Sequence, residues 1–181
     1  MKLWSVTDGE DRLSIAGHTG PVHDVAISPK GDMLATAGED GTLRLWKLPL
    51  PATTLAGHTM PVASVSVSND GKQIVTAGAD KLIKVFDAAT GEASTSITVS
   101  AAASASALNA DNSQLATGDI AGQIHIWNTA DGAAVGSVAG HADSINFLSY
   151  LPEGKQLLSA GEDGTLRWWN LPVVAPTQFP E

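Results

Sequence analysis

Three histidines, three hydroxyl residues and three aspartates recur in one register: His18, Thr36 and Asp40; His58, Thr76 and Asp80; His141, Ser159 and Asp163. A hydroxyl, an imidazole and a carboxylate are the raw material of a nucleophilic triad. A hydrolase, however, needs one activated hydroxyl beside one oxyanion hole, whereas three copies on a fixed period are what a structural requirement produces. The set is therefore read as structural. No residue is assigned a catalytic role, and the chain is not expected to be an enzyme. His23 and His125 have no partner at metal-ligand spacing. The acidic turns at Asp8, Glu10 and Asp11, at Asn69-Asp70 and at Asp111-Asn112 lack the spacing of a calcium loop. A glycine-rich phosphate loop is also missing, so neither a metal nor a cofactor is expected.

Composition narrows the class further. The 181 residues are 43% apolar and 16% charged, with no cysteine. That suffices for one globular domain with a core and is too apolar for a disordered tail. Ten Lys and Arg stand against nineteen Asp and Glu, a net charge of −9 with no basic run, which argues against nucleic acid and anionic membrane as partners. Without cysteine there is no disulfide scaffold, thiolate metal site or thiol nucleophile. Met1 to Gly20 is polar and mixed in charge, unlike a secretory or transit peptide. No stretch approaches the roughly 18 apolar residues of a membrane span, so a soluble, by default cytoplasmic, protein is expected.

The elements that must position the triplets repeat with them. AGEDGTLR occurs unchanged at Ala37 to Arg44 and Ala160 to Arg167, with AGADKLIK from Ala77 and a decayed GDIAGQIH from Gly118 between. Each copy ends in an aromatic, Trp46, Phe86, Trp127 or Trp169, at spacings of 40, 41 and 42. Gly17-His18, Gly57-His58 and Gly140-His141 keep register, with Thr98-Val99 in the third place, and the aromatic always follows 28 residues after the His position. Each unit reads as four short strands. In the first these are Val22 to Ser28, the turn Pro29 to Asp32, Met33 to Ala37, the tight turn Glu39-Asp40-Gly41, Thr42 to Leu48, then Pro49-Leu50-Pro51 and Thr53 to Leu55. The Ala-rich stretch Ser100 to Ala107 falls on a first strand and is read as strand.

A period near 40, four strands per unit, Gly-His before the first strand and Trp at the end of the third resemble the WD-repeat family of β-propellers. The residue after the aromatic is Lys47, Asp87, Asn128 or Asn170, so one unit alone keeps the Asp. The resemblance implies an all-β fold of four-stranded antiparallel blades, with first strands nearest a central channel. It also implies that Trp, Thr or Ser, His and Asp form a hydrogen-bonded chain. The physical need is that a buried indole N–H, hydroxyl and imidazole each require a partner. Units one (His18, Thr36, Asp40, Trp46) and four (His141, Ser159, Asp163, Trp169) are complete. Unit two has Phe86, which keeps packing but removes the donor. Unit three, with Val99, Thr117, Ala121 and Trp127, reads as broken at two places, and its first strand is thin in apolar area. It is expected to be the least stable unit.

The units run at about 16–55, 56–96, 97–138 and 139–171, with an orphan outer strand near 12–15 and a Pro-rich tail at 172–181. Met1 to Trp4 looks like the end of another third strand, since Trp4 precedes His18 by 14 residues as Trp127 precedes His141. Four blades closing alone would each subtend about 90°, against about 51° or 45° in rings of seven or eight. The expected resolution is a two-fold homodimer of eight blades, each chain lending its Arg12 to Ile15 strand to the other's last blade. The competing reading is a piece of a longer propeller or an engineered half.

The family's usual contact points, carried over by position, are Pro21, His23 and Glu39; Pro61, Ala63 and Ala79; Ala102, Ser104 and Ile120; and Ser144, Asn146 and Glu162. They contain no Trp, Tyr or Arg, the usual hot-spot residues. The resemblance thus implies a non-enzymatic scaffold that binds other proteins or peptides, and the closure argument adds a second copy of the chain as a partner. The alternative is a purely structural object with no ligand.

Overall fold

The computed structural model describes residues 1–47, 52–171 and 177–178. Strands β1 (Lys2–Trp4) and β2 (Asp11–Ser14) form a two-stranded antiparallel sheet. Four four-stranded antiparallel sheets follow. The first contains β3 (Val22–Ile27), β4 (Met33–Gly38), β5 (Leu43–Lys47) and β6 (Ala52–Leu55). The second contains β7 (Val62–Val67), β8 (Gln73–Gly78), β9 (Leu82–Asp87) and β10 (Ala93–Thr98). The third contains β11 (Ala103–Leu108), β12 (Gln114–Asp119), β13 (Gln123–Asn128) and β14 (Ala134–Ala139). The fourth contains β15 (Ile145–Tyr150), β16 (Gln156–Gly161), β17 (Leu166–Asn170) and β18 (Thr177–Gln178). Each sheet is a blade with its strands in chain order from the inside outward, and the four are arranged as a β-propeller. Among the described residues no helix is long and apolar enough to cross a membrane.

The second strands of the first three blades are buried on both faces, which is why Met-Leu-Ala-Thr-Ala-Gly in β4 is apolar without alternation. The period of two then assigns each side chain to a neighbour. Met33, Ala35, Ala37, Leu43, Leu45 and Leu55 face the second blade and meet Val65, Ile74 and Phe86 there. Val75, Ala77, Ile83, Val85 and Ile97 repeat this against Leu115 and Trp127 of the third blade. Ala116, Ile124 and Ile126 repeat it against Leu148, Leu157 and Trp169 of the fourth. The inner strands β3, β7, β11 and β15 line a cavity of about 730 Å³.

The array is open at both ends. Among the described residues no strand of the fourth blade makes an extensive contact with the first. On the first blade Val25 and Ile27 are 44% and 57% exposed, and on the last Phe147 and Leu166 are 50% and 51% exposed.

Two expectations about the ends need correction. The segment near 12–15 is not an orphan: as β2 it pairs with β1, Lys2 opposite Ser14 and Leu3 opposite Leu13. Nor does the last blade stop at three strands after Leu171, because Thr177–Gln178 lies beside Trp168 and Arg167 as β18. Each outer strand has found a partner within its own chain, since an unpaired strand edge leaves N–H and C=O groups unsatisfied. The expected Pro49-Leu50-Pro51 turn with Leu48, and the rest of the tail at 172–176 and 179–181, lie outside the described residues.

Candidate functional site

The repeated triplets come together at the end of each blade where β4, β8 and β16 turn into the next strand. His18 Nδ1 lies 2.9 Å from Asp40 Oδ1, and its Nε2 lies 2.7 Å from Thr36 Oγ1. Trp46 Nε1–H donates to the same Thr36 oxygen at 3.1 Å. A carboxylate beside Nδ1 fixes the proton there, so Thr36 O–H donates to Nε2 while its oxygen accepts from the indole. In the fourth blade His141 is 2.9 Å from Asp163 and 2.7 Å from Ser159, which accepts from Trp169 at 2.9 Å. In the second, His58 is 2.9 Å from Asp80 and 2.8 Å from Thr76, and Phe86 is buried where the indole would be.

Electrostatics follow from this wiring. Burial pushes the Asp40 carboxyl up, but the hydroxyl of Thr42, the His18 ring and the amides of Thr19 and Thr42 outweigh it and hold the group below the usual carboxylate range. Asp163 is lowered in the same way: burial opposes, and the Ala142 amide, His141 and Thr165 prevail. For Asp80, burial is outweighed chiefly by His58 and the Thr59 amide. Each carboxylate is thus an ionised anchor closing a turn. The Thr hydroxyls of the first and fourth blades went unnoticed in the sequence; Thr42 and Thr165 each lie 2.7 Å from their Asp and stand two residues after it, which was the available signal.

The third blade is rewired rather than simply broken. It has Val99 for His and Ala121 for Asp, yet Asp119, at the position of Gly38, puts a carboxylate into the same turn. Asp119 Oδ1 accepts the amides of Ala121 and Gln123, both at 2.9 Å, and its Oδ2 lies 3.4 Å from His125 Nε2. Trp127 still donates to Thr117 at 2.8 Å.

The candidate partner face lies at the same end of the blades. Glu39 N–H donates to Pro21 O, Ala79 to Pro61, Ile120 to Ala102 and Glu162 to Ser144, at 2.8 to 3.1 Å. This one bond brings the first-strand entry and the turn residue of each blade together. His23 meets Glu39 at 2.8 Å, Asn146 meets Glu162 at 3.3 Å, and Ser104 donates to Ile145 O at 2.6 Å. Ala63 sits half-buried on β7. Among the described residues no group of three or more His, Asp or Glu could hold a metal ion.

A second contact type joins blade to blade. Asp24 Oδ2 accepts the Val65 amide at 2.8 Å, and one blade on, Ser64 Oγ accepts the Ser106 amide at 3.1 Å. The corresponding residue of the fourth blade is Phe147, which has no acceptor. On the first blade the amide that would need one, Val25, is capped by Asp24 Oδ1 of its own strand at 2.8 Å.

Comparison with known proteins bears on all of this. The family described as WD domain, G-beta repeat matches residues 9–47, 50–87 and 132–170, passing over most of the rewired third unit. The chain is 29% identical over 176 residues to nuclear distribution protein PAC1 of Arthroderma benhamiae, covering 94% of this chain and 33% of that protein. It is 29% identical over 173 residues to apoptotic protease-activating factor 1 of Mus musculus, covering 94% of this chain and 14% of that protein. A 44-residue stretch, 24% of the chain, is 48% identical to serine-threonine kinase receptor-associated protein of Bos taurus and covers 13% of it. The chain therefore spans about a third or less of the length of these relatives. With matching repeats over more than half of its length, the chain belongs to the WD domain, G-beta repeat family.

Proposed function

We propose that this chain is a non-enzymatic interaction scaffold whose first partner is a second copy of itself, the two together closing a ring of eight blades. WD-repeat proteins are typically protein-interaction scaffolds and generally non-enzymatic, which sets the class. The observation that carries the finer reading is the pair of apolar open faces, Val25 and Ile27 at one end and Phe147 and Leu166 at the other. Contiguous exposed apolar surface of this kind marks an interaction site or an aggregation hazard. The two ends also suit each other: Phe147 offers no acceptor, and Val25 needs none. A two-fold pairing joins each end of one copy to the opposite end of the other and leaves neither face open.

Beyond the ring, the partner face at Pro21, His23 and Glu39 and their counterparts is taken as the surface for another protein or peptide. Its polar groups are largely satisfied among themselves, so weak binding is expected there. If that face binds nothing, the second reading, a purely structural ring-former, takes its place.

Light scattering across a dilution series tests the proposal. A species of twice the 18.6 kDa chain mass is expected, dissociating on Phe147→Lys. A folded monomer at every concentration overturns it.

A further inference from the structure

Strands β1 and β2 have the pairing of the outer half of a blade. Met1 and Ile15 exchange both backbone hydrogen bonds, at 3.0 and 2.9 Å. They stand opposite one another as Leu43 stands opposite Leu55 and Ile124 opposite Val138. In that register Leu3 takes the place of Leu45, and Trp4 that of Trp46. Leu3 and Ile15 accordingly cover Leu34 and Trp46, just as Leu45 and Leu55 cover Ile74 and Phe86 one blade on. Only this outer half of the face is covered; Val25 and Ile27, on the inner strand of the same blade, stay exposed.

We propose that β1 is a place-holder, occupying on Leu34 and Trp46 the position that β17 of a second copy takes on assembly, so that its release sets how readily the chain assembles. The proposal rests on the self-assembly reading above. In the register just described, Leu3 of β1 corresponds to Trp168 of β17, and the two cannot share one site. A whole fourth blade would cover the inner half as well, setting Phe147 against Val25, and therefore buries more than the half blade it replaces. If β2 is to serve as the outer strand of that incoming blade, it must exchange β1 for β17 along the same edge, and the two-residue β18 must in turn leave β17. What β1 gives up is small. Leu3 is half-buried, Trp4 is 57% exposed, and the Lys2–Asp11 ion pair at 2.7 Å is solvent-accessible, a kind of contact that contributes little.

The test locks β1 in place. Lys2 and Ser14 face each other at a non-hydrogen-bonded pair, the closer of the two antiparallel spacings, and the chain has no cysteine of its own. In the full chain, Lys2→Cys with Ser14→Cys gives a variant compared oxidised and reduced by light scattering over a dilution series. The oxidised form should need at least a ten-fold higher concentration to reach half-dimer than the reduced form. Leu3→Lys, which removes the cover that β1 lays on Leu34 and Trp46 and leaves those two residues themselves in place, should lower the midpoint several-fold. Equal midpoints in the oxidised, reduced and Leu3→Lys proteins overturn the place-holder while leaving self-assembly standing. Monomer in every sample, the unmodified chain included, overturns both. Circular dichroism on each sample separates a lost fold from lost assembly.

Discussion

A β-carbon on Gly38 would lie 2.4 Å from Nδ1 of His18, so the imidazole requires a glycine at that position. The same exclusion holds at Gly78 with His58, at 2.4 Å, and at Gly161 with His141, at 2.5 Å. In the third blade the imidazole is replaced by Val99, and the glycine position carries Asp119. The two substitutions are coupled through one volume: removing the ring makes room for a carboxylate, which then accepts the Gln123 amide, the counterpart of the Thr42 amide that Asp40 accepts in the first blade, together with the amide of Ala121.

This coupling predicts strong non-additivity. Val99→His alone drives an imidazole into the Asp119 side chain and should destabilise the protein by about 2 kcal/mol or more, as overpacking in a filled site does. Val99→His with Asp119→Gly and Ala121→Asp rebuilds the arrangement of the other blades and should recover most of that loss. Urea midpoints for the single and triple variants measure the coupling. Equal destabilisation in both would show that the sites are independent.

The third blade remains the expected weak point despite its rewired turn. Its inner strand β11 has Ala103 and Ser106 buried where β7 has Val62 and Val65, so less apolar area is removed from water. Amide exchange of β11 and β12 should be faster than that of β7 and β8. Uniform protection across the two blades would count against this.

Phe86 offers a gain. Thr76 Oγ1 meets His58 but has no indole donor, whereas Thr36 and Ser159 each accept one. Gly57 leaves Phe86 the same kind of space that Gly17 leaves Trp46. Phe86→Trp should therefore stabilise by about 1 kcal/mol, the usual net value of one hydrogen bond. A higher urea midpoint at unchanged slope is the expected readout, and a lower midpoint would mean that the larger ring does not fit.

Acid should unfold the protein through its turn carboxylates. Asp40, Asp80 and Asp163 are all lowered in the folded state, so their stabilisation is fully present above the unfolded value near about 4 and is lost as pH falls through the folded values. The urea midpoint should fall steadily below about pH 4. Asp80→Asn should make that fall shallower, because one linked proton is removed. An unchanged slope would assign the acid transition to other groups.

Much of this molecule could be read along the chain. Strand alternation, Asp-Gly turns and the fixed interval from His18 to Trp46 act over short separations, so the residues that make a blade announce it locally. The His, Thr and Asp triplets were visible for the same reason, since their register repeats. What lay out of reach were contacts whose partner is not specified by any local pattern. Asp119 reads as a departure from a motif until Gly38 is seen facing His18. The pairing of β2 with β1, and of Thr177–Gln178 with β17, arises because strand edges take whatever backbone is near in space. The two open faces are likewise a property of the assembled array: whether Val25, Ile27 and Phe147 are buried depends on what packs against the whole blade, and no spacing within the blade encodes that.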